Sequence, residues 1–237
     1  MVQLIVILVI FLAVFVQSLS GFGVALIAMA FLPGIVSIQI ATPLVALVSL
    51  TIEVFLLLRY RAELDIHAVL PIAVAAIVGI PLGIWAFDGV DEGYFLIGLG
   101  IVITGYALYA LLNIKLPELA SPVWAYAAGL LAGVLGGAYN TSGPPVIIYG
   151  NCKRWPPLEF KGNLQGFFII SSLFVALGHA VGRNFTQTVW EYFLWTLPAI
   201  GVGYITGTYL DRYLNPDMFR KVVLVLLVLL GVRLIFG

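Results

Sequence analysis

At 237 residues, with 62% hydrophobic, only 9% charged and a mean hydropathy of +1.14, the chain is too apolar for a water-soluble domain, and lipid is the solvent its surface suits. Eleven basic and eleven acidic residues leave a formal net charge of zero, so no global field argues for nucleic acid as a partner. Cys152 is the single cysteine, which rules out an intramolecular disulfide, and with His67 and His179 it makes no metal-ligand set; neither a metal nor a cofactor is expected.

Apolar runs between turn signals predict ten helical pieces. The first half gives 2–18, a short run 22–32, then 35–58, 66–87 and 94–112; the second gives 122–139, a short run 144–150, then 158–181, 189–210 and 217–236. The opening stretch lacks the basic region and small-residue cleavage site of a secretory leader and reads as an N-terminal span. The order long, short, long, long, long occurs twice, with repeat one at about 1–116 and repeat two at about 120–237 of a single membrane transport domain. Ser20-Gly21 lines up with Ser142-Gly143. Gly79 and Gly83 lead to Asp88 as Gly203 and Gly207 lead to Asp211, and both glycine pairs suit close helix packing.

The basic residues decide what the short runs do. If each long and short pair crossed once as a broken helix, Arg59, Arg61, Lys115, Arg183 and Arg233 would oppose Lys153, Arg154, Lys161, Arg212, Arg220 and Lys221, five against six, with no orientation. If each pair enters and returns as a hairpin, only Arg183 and Arg233 lie apart from the other nine, a clear positive-inside pattern. The expected fold is therefore an all-α polytopic membrane protein of two inverted repeats, each a broken or re-entrant hairpin followed by three transmembrane helices, with both termini extracytoplasmic. A parallel-repeat arrangement is the competitor.

The two breaks read Gln17-Ser18-Leu19-Ser20-Gly21-Phe22-Gly23 and Gly136-Gly137-Ala138-Tyr139-Asn140-Thr141-Ser142-Gly143-Pro144-Pro145. Broken backbone at membrane depth is tolerated only inside protein or beside a wet cavity. Ser20, and Thr141 or Ser142, are the expected N-caps of the short helices. A helix starting at such a break presents free amides and its positive dipole end, which suits a carboxylate, sulfonate or other oxyanion. Two such ends facing each other near the midplane would hold one anion with no buried lysine or arginine. The structural alternative is that Gly, Pro, Ser and Thr here only satisfy neighbouring backbone; the occurrence of two breaks at equivalent places favours function.

Ser-Gly-Phe-Gly at 20–23 followed by an apolar run, with Asn-Thr-Ser-Gly-Pro-Pro at 140–145, resembles the paired motifs of the TauE/SafE family of sulfite exporter type permeases. The resemblance extends over the whole chain in length, repeat pattern and motif placement. It implies a secondary transporter in the bacterial inner membrane, moving a small sulfur-containing anion such as sulfite or an organosulfonate by alternating access around a midplane site. It also implies substrate contacts at Ser20, Gly21 and Gly23 and at Asn140, Thr141, Ser142 and Gly143. Phe22 and Val24 stand among the glycines where the family's more glycine-dense forms differ, which bears on substrate size.

Gln17, Tyr139, Asn163 and Gln165 are further candidates to line the site. Glu53 lies well inside its helix, where an ionisable group is costly; a coupling proton, with a cation as the other possible coupling ion, is its functional reading, and a reach to the interface or a pair with Arg59 its structural one. Lys161 is expected to snorkel to the basic face, His179 to cap a helix end and the tryptophans to anchor at interfaces. An ATP-binding loop, a zinc-protease motif and a nucleophile elbow are all absent, so neither ATP hydrolysis nor an intramembrane enzyme is expected. An anion channel is the remaining alternative.

Overall fold

The computed structural model describes residues 1–87, 90–114, 116–213 and 216–236; Asp88 of the repeat match and Lys115 of the basic count lie outside the described residues. Among the described residues the chain is helical, with α1 Val2–Ser20, α2 Val24–Phe31, α3 Ile38–Tyr60, α4 Ile66–Phe87 and α5 Glu92–Leu111. The second half follows with α6 Val123–Tyr139, α7 Gly143–Cys152, α8 Pro157–Val181, α9 Gln187–Leu210 and α10 Pro216–Phe236. Five helices, α1, α3, α4, α5 and α8, are long and apolar enough to cross a membrane, so the chain is an all-α polytopic membrane protein. The solvent-facing stripe of α4 shows why: Ile66, Leu70, Val74, Val78 and Leu82, one per turn, are all exposed, which suits lipid and not water.

The helices pack as two compact units that cut across the sequence halves. Unit 1 holds α1, α2, the first part of α3, α5, α9 and α10; unit 2 holds the rest of α3 with α4, α6, α7 and α8. In unit 2, α4 runs parallel to α6 at near backbone contact. Gly129, Gly133 and Gly137 meet the carbonyls of Ile72, Ala76 and Ile80, and a side chain on Gly79 would press to 2.9 Å from the Val134 nitrogen. In unit 1, α9 lies equally close along α1. A Cβ on Gly203 would sit 3.0 Å from the Phe11 carbonyl, and one on Gly207 2.6 Å from Ser18 Cβ. Both glycine pairs read from the sequence thus serve close approach, each against a long arm from the opposite sequence half.

Each long and short pair forms a hairpin within its own unit. Phe15, late in α1, packs edge-on against Phe219 at the start of α10, whereas Gly34, just past α2, sits beside Arg233 near the end of α10. With ~1.5 Å of rise per residue, the start of α1 and the end of α2 are therefore level along α10. In unit 2 the residues after α7 come back to those before α6. Lys153 Nζ donates to the Leu119 carbonyl at 3.3 Å, and Arg154 lies 3.8 Å from Glu118.

Candidate functional site

The two breaks share one backbone solution. At the end of α1 the Gly21 N–H donates to the Gln17 carbonyl (2.7 Å); at the end of α6 the Asn140 N–H donates to the Gly136 carbonyl (2.9 Å) and the Thr141 N–H to that of Leu135 (3.2 Å). Gly21 (φ 85°) and Gly23 (φ 118°) are left-handed, a conformation that excludes most side chains, and Asn140 (φ 58°) takes the same role with the residue type that tolerates it after glycine.

Each break has a definite level along the helix beside its arm. Ser18 lies against Gly207, so the first break is level with the last turn of α9; Gly137 lies between Ile80 and Ile84, so the second is level with the last turn of α4. Neither is halfway along its neighbour. The cause is arm length: α1 has 19 residues and α6 has 17, about 28 and 25 Å of helix. Each break therefore stands at the far end of its long arm.

The capping expectation fails as well. Ser20 is the last residue of α1, with its hydroxyl placed to donate to the Val16 (2.8 Å) or Phe22 carbonyl (2.5 Å), and the N-cap of α2 is Gly23. Gln17 does the work from a turn earlier: its Oε1 accepts the Val24 N–H at 2.7 Å. Ser142 is at the N-cap of α7 but makes no side-chain cap. A cap accepts from the second or third helical amide, and those positions are Pro144 and Pro145, which have none. The amides of α7 are thus fewer than a helix start normally offers, and the polar capacity of the second break shifts to the Asn140, Thr141 and Ser142 side chains.

These side chains are buried. Gln17 is 2% exposed, with its Nε2 unpartnered, and Thr141 is 1% exposed, with its Oγ1 unpartnered; Tyr139, Ser142 and Gly21 are buried, and Ser20, Gly23, Asn140 and Gly143 half-buried. Buried polar atoms without partners are costly, and each break holds one. Gly143 itself has ordinary space around it: a Cβ there would be 3.5 Å from Ile147.

Asn163 and Gln165 have a different setting. Asn163 Oδ1 accepts the Asp65 N–H at 2.8 Å and so holds the turn before α4, while its Nδ2 donates to Glu159 one turn earlier in α8 at 3.4 Å. The α8 residues at the second break are instead Ser171 and Val175, beside Gly136. Phe168 of α8 also stands at this break, beside Gly143; Gln165 precedes it by ~4.5 Å of helix and Asn163 by ~7.5 Å. Lys161 stays at the same end as Asn163, over the Tyr60 ring at 5.6 Å, and His179 meets Asn184 at the other end of α8.

Glu53 is 3% exposed and hydrogen-bonded to Ser172, not to Arg59; its Oε2 and the Ser49 Oγ one turn earlier are buried without partners among the described residues. Ser171 and Ser172 are adjacent on α8, so one helix turn touches both the second break and Glu53. The pair is visible in the sequence as the lone polar step in an apolar run, a signal that sequence reasoning passed over.

In unit 1 the residue between the two left-handed glycines, Phe22, meets Tyr106 of α5 edge-on, with ring centroids 6.2 Å apart. Arg220 of α10 lies beside Tyr106. Arg220 is half-buried, with its Nε among the buried atoms.

The chain is 29% identical over 178 residues to the probable inner membrane transporter protein TsaS of Comamonas testosteroni, covering 74% of this chain and 72% of that protein. It is 22% identical over 225 residues to the probable sulfite/organosulfonate exporter TauE of Cupriavidus necator, covering 92% and 88% respectively. No solved structure matches. The model of the family described as sulfite exporter TauE/SafE matches residues 6–234, nearly the whole chain, and the protein belongs to that family.

Proposed function

We propose that the protein is a secondary transporter that carries a small sulfur-containing anion, sulfite or an organosulfonate, across the cytoplasmic membrane by alternating access. Family membership sets it among membrane transporters and apart from enzymes. The substrate class rests on the family description and on the name of the Cupriavidus relative, and the membrane on the name of the Comamonas one. The observation that carries the site is the pair of breaks with buried, unpartnered polar atoms, Gln17 Nε2 and Thr141 Oγ1. The candidate anion contacts are Gln17, Ser20, Gly21 and Gly23 within unit 1 and Tyr139, Asn140, Thr141, Ser142 and Gly143 within unit 2.

Glu53 carries the coupling proton. Its burial, its Ser172 bond and the adjacency of Ser171 to the second break connect a protonation event to the substrate-binding backbone without direct contact. Both termini are extracytoplasmic, on the positive-inside count and on the return of each hairpin to its starting end.

The test is a thermal-shift screen of the purified protein against sulfite, thiosulfate, sulfoacetate, taurine and simple carboxylates, since a ligand bound to the native state raises apparent stability. A shift with sulfur anions that disappears in Asn140→Leu and Ser142→Leu supports the reading. An equal shift in those variants and wild type removes the breaks from the site.

A further inference from the structure

We infer that Arg220 and Tyr106, beneath the first break, form a cationic subsite that takes the oxygens of the anion. This rests on the reading that the first break contacts substrate, and it deepens that reading by supplying the charge that backbone amides alone do not.

Three elements of unit 1 converge there. Phe22, locked between Gly21 and Gly23, lays its ring edge-on to Tyr106, so the break and α5 meet at this point. Tyr106 is 4% exposed, and its buried hydroxyl is hydrogen-bonded with Arg220. Arg220 stands close enough to polarise that hydroxyl, yet its own Nε is buried and unpartnered. Phe219, next in the chain, packs on Phe15 and fixes this turn of α10 to α1.

The unsatisfied atoms are of one kind. The Tyr106 oxygen accepts from the Arg220 guanidinium, which leaves the Arg220 Nε–H and the phenol proton, two donors, without an acceptor among the described residues. Burying two donors side by side without one is unfavourable unless an acceptor arrives, and a charged oxygen is the strongest candidate. The guanidinium fork matches two oxygens of a sulfite or sulfonate group, and the phenol supplies a third bond from another direction. A lysine at 220 would keep the charge and lose the fork.

The experiment measures sulfite affinity and anion-free melting temperature for the full-length wild type, Arg220→Lys, Tyr106→Phe and Ser142→Leu. Arg220→Lys is expected to weaken sulfite binding about 10-fold or more, and Tyr106→Phe about 5-fold, with anion-free melting close to wild type. Should Arg220→Lys fail to fold, Tyr106→Phe, which removes one oxygen atom, carries the test. Wild-type affinity in both variants, together with lost binding in Ser142→Leu, overturns the subsite while leaving the breaks as the anion site. Absence of sulfur-anion binding by the wild type overturns the underlying reading and this one with it.

Discussion

Replacing Gly207 by alanine places a methyl carbon 2.6 Å from Ser18 Cβ and 2.7 Å from the Phe15 carbonyl oxygen, where ordinary contact needs about 3.5 Å or more. To accept it, α9 and α1 must part by roughly 1 Å, and overpacking of this kind costs about 1–3 kcal/mol. Gly201, six residues earlier on the same helix, has open space around it, so alanine there meets nothing. Both substitutions share the same helix-propensity gain of ~1 kcal/mol, which cancels when one variant is compared with the other. Thermal unfolding of the purified protein should therefore place Gly201→Ala above wild type and Gly207→Ala about 2–12 °C below Gly201→Ala, taking ~2–4 °C per kcal/mol for a chain of this size. Two variants melting within a degree of each other would refute the close packing of α1 on α9, and with it the architecture that positions the first break.

Gly23→Ala must adopt φ 118° and should destabilise the first break by ~1–3 kcal/mol, read as reduced sulfite binding with a lowered melting temperature; unchanged binding would show that the turn is not required. Glu53→Gln keeps the shape of the side chain and removes its proton chemistry, so sulfite exchange should persist while stimulation by an imposed pH gradient disappears; retained stimulation rules out Glu53 as the carrier. In a Cys152→Ala background, Val2→Cys and Phe236→Cys should both react with an impermeant thiol reagent in intact cells, and protection of both would reverse the orientation.

The long helices were legible because lipid imposes a length and a composition on anything that spans it: the expected run 66–87 is α4 to the residue, and 189–210 misses only the first turn of α9. The breaks were legible for the same reason, since glycine and proline interrupt apolar sequence only where backbone is protected. Their local chemistry was less so. Ser142 looks like a cap until Pro144 and Pro145 are seen to occupy the amides it would bind, and Gln17 reaches forward seven residues to Val24, outside any capping pattern. The bond from Asp65 to Asn163 was not legible because the two are 98 residues apart, a distance across which sequence spacing carries no information. Arg220 was counted only as a basic residue at a helix start, and nothing local connects it to Tyr106.

The most direct test of the proposed activity is counterflow in proteoliposomes: vesicles loaded with unlabelled sulfite, diluted into a trace of labelled sulfite. The account predicts transient, saturable accumulation of label above equilibrium by the wild type, lost in Ser142→Leu despite normal membrane insertion. Simple equilibration with no overshoot, at a rate that does not saturate, would contradict a carrier and indicate a pore.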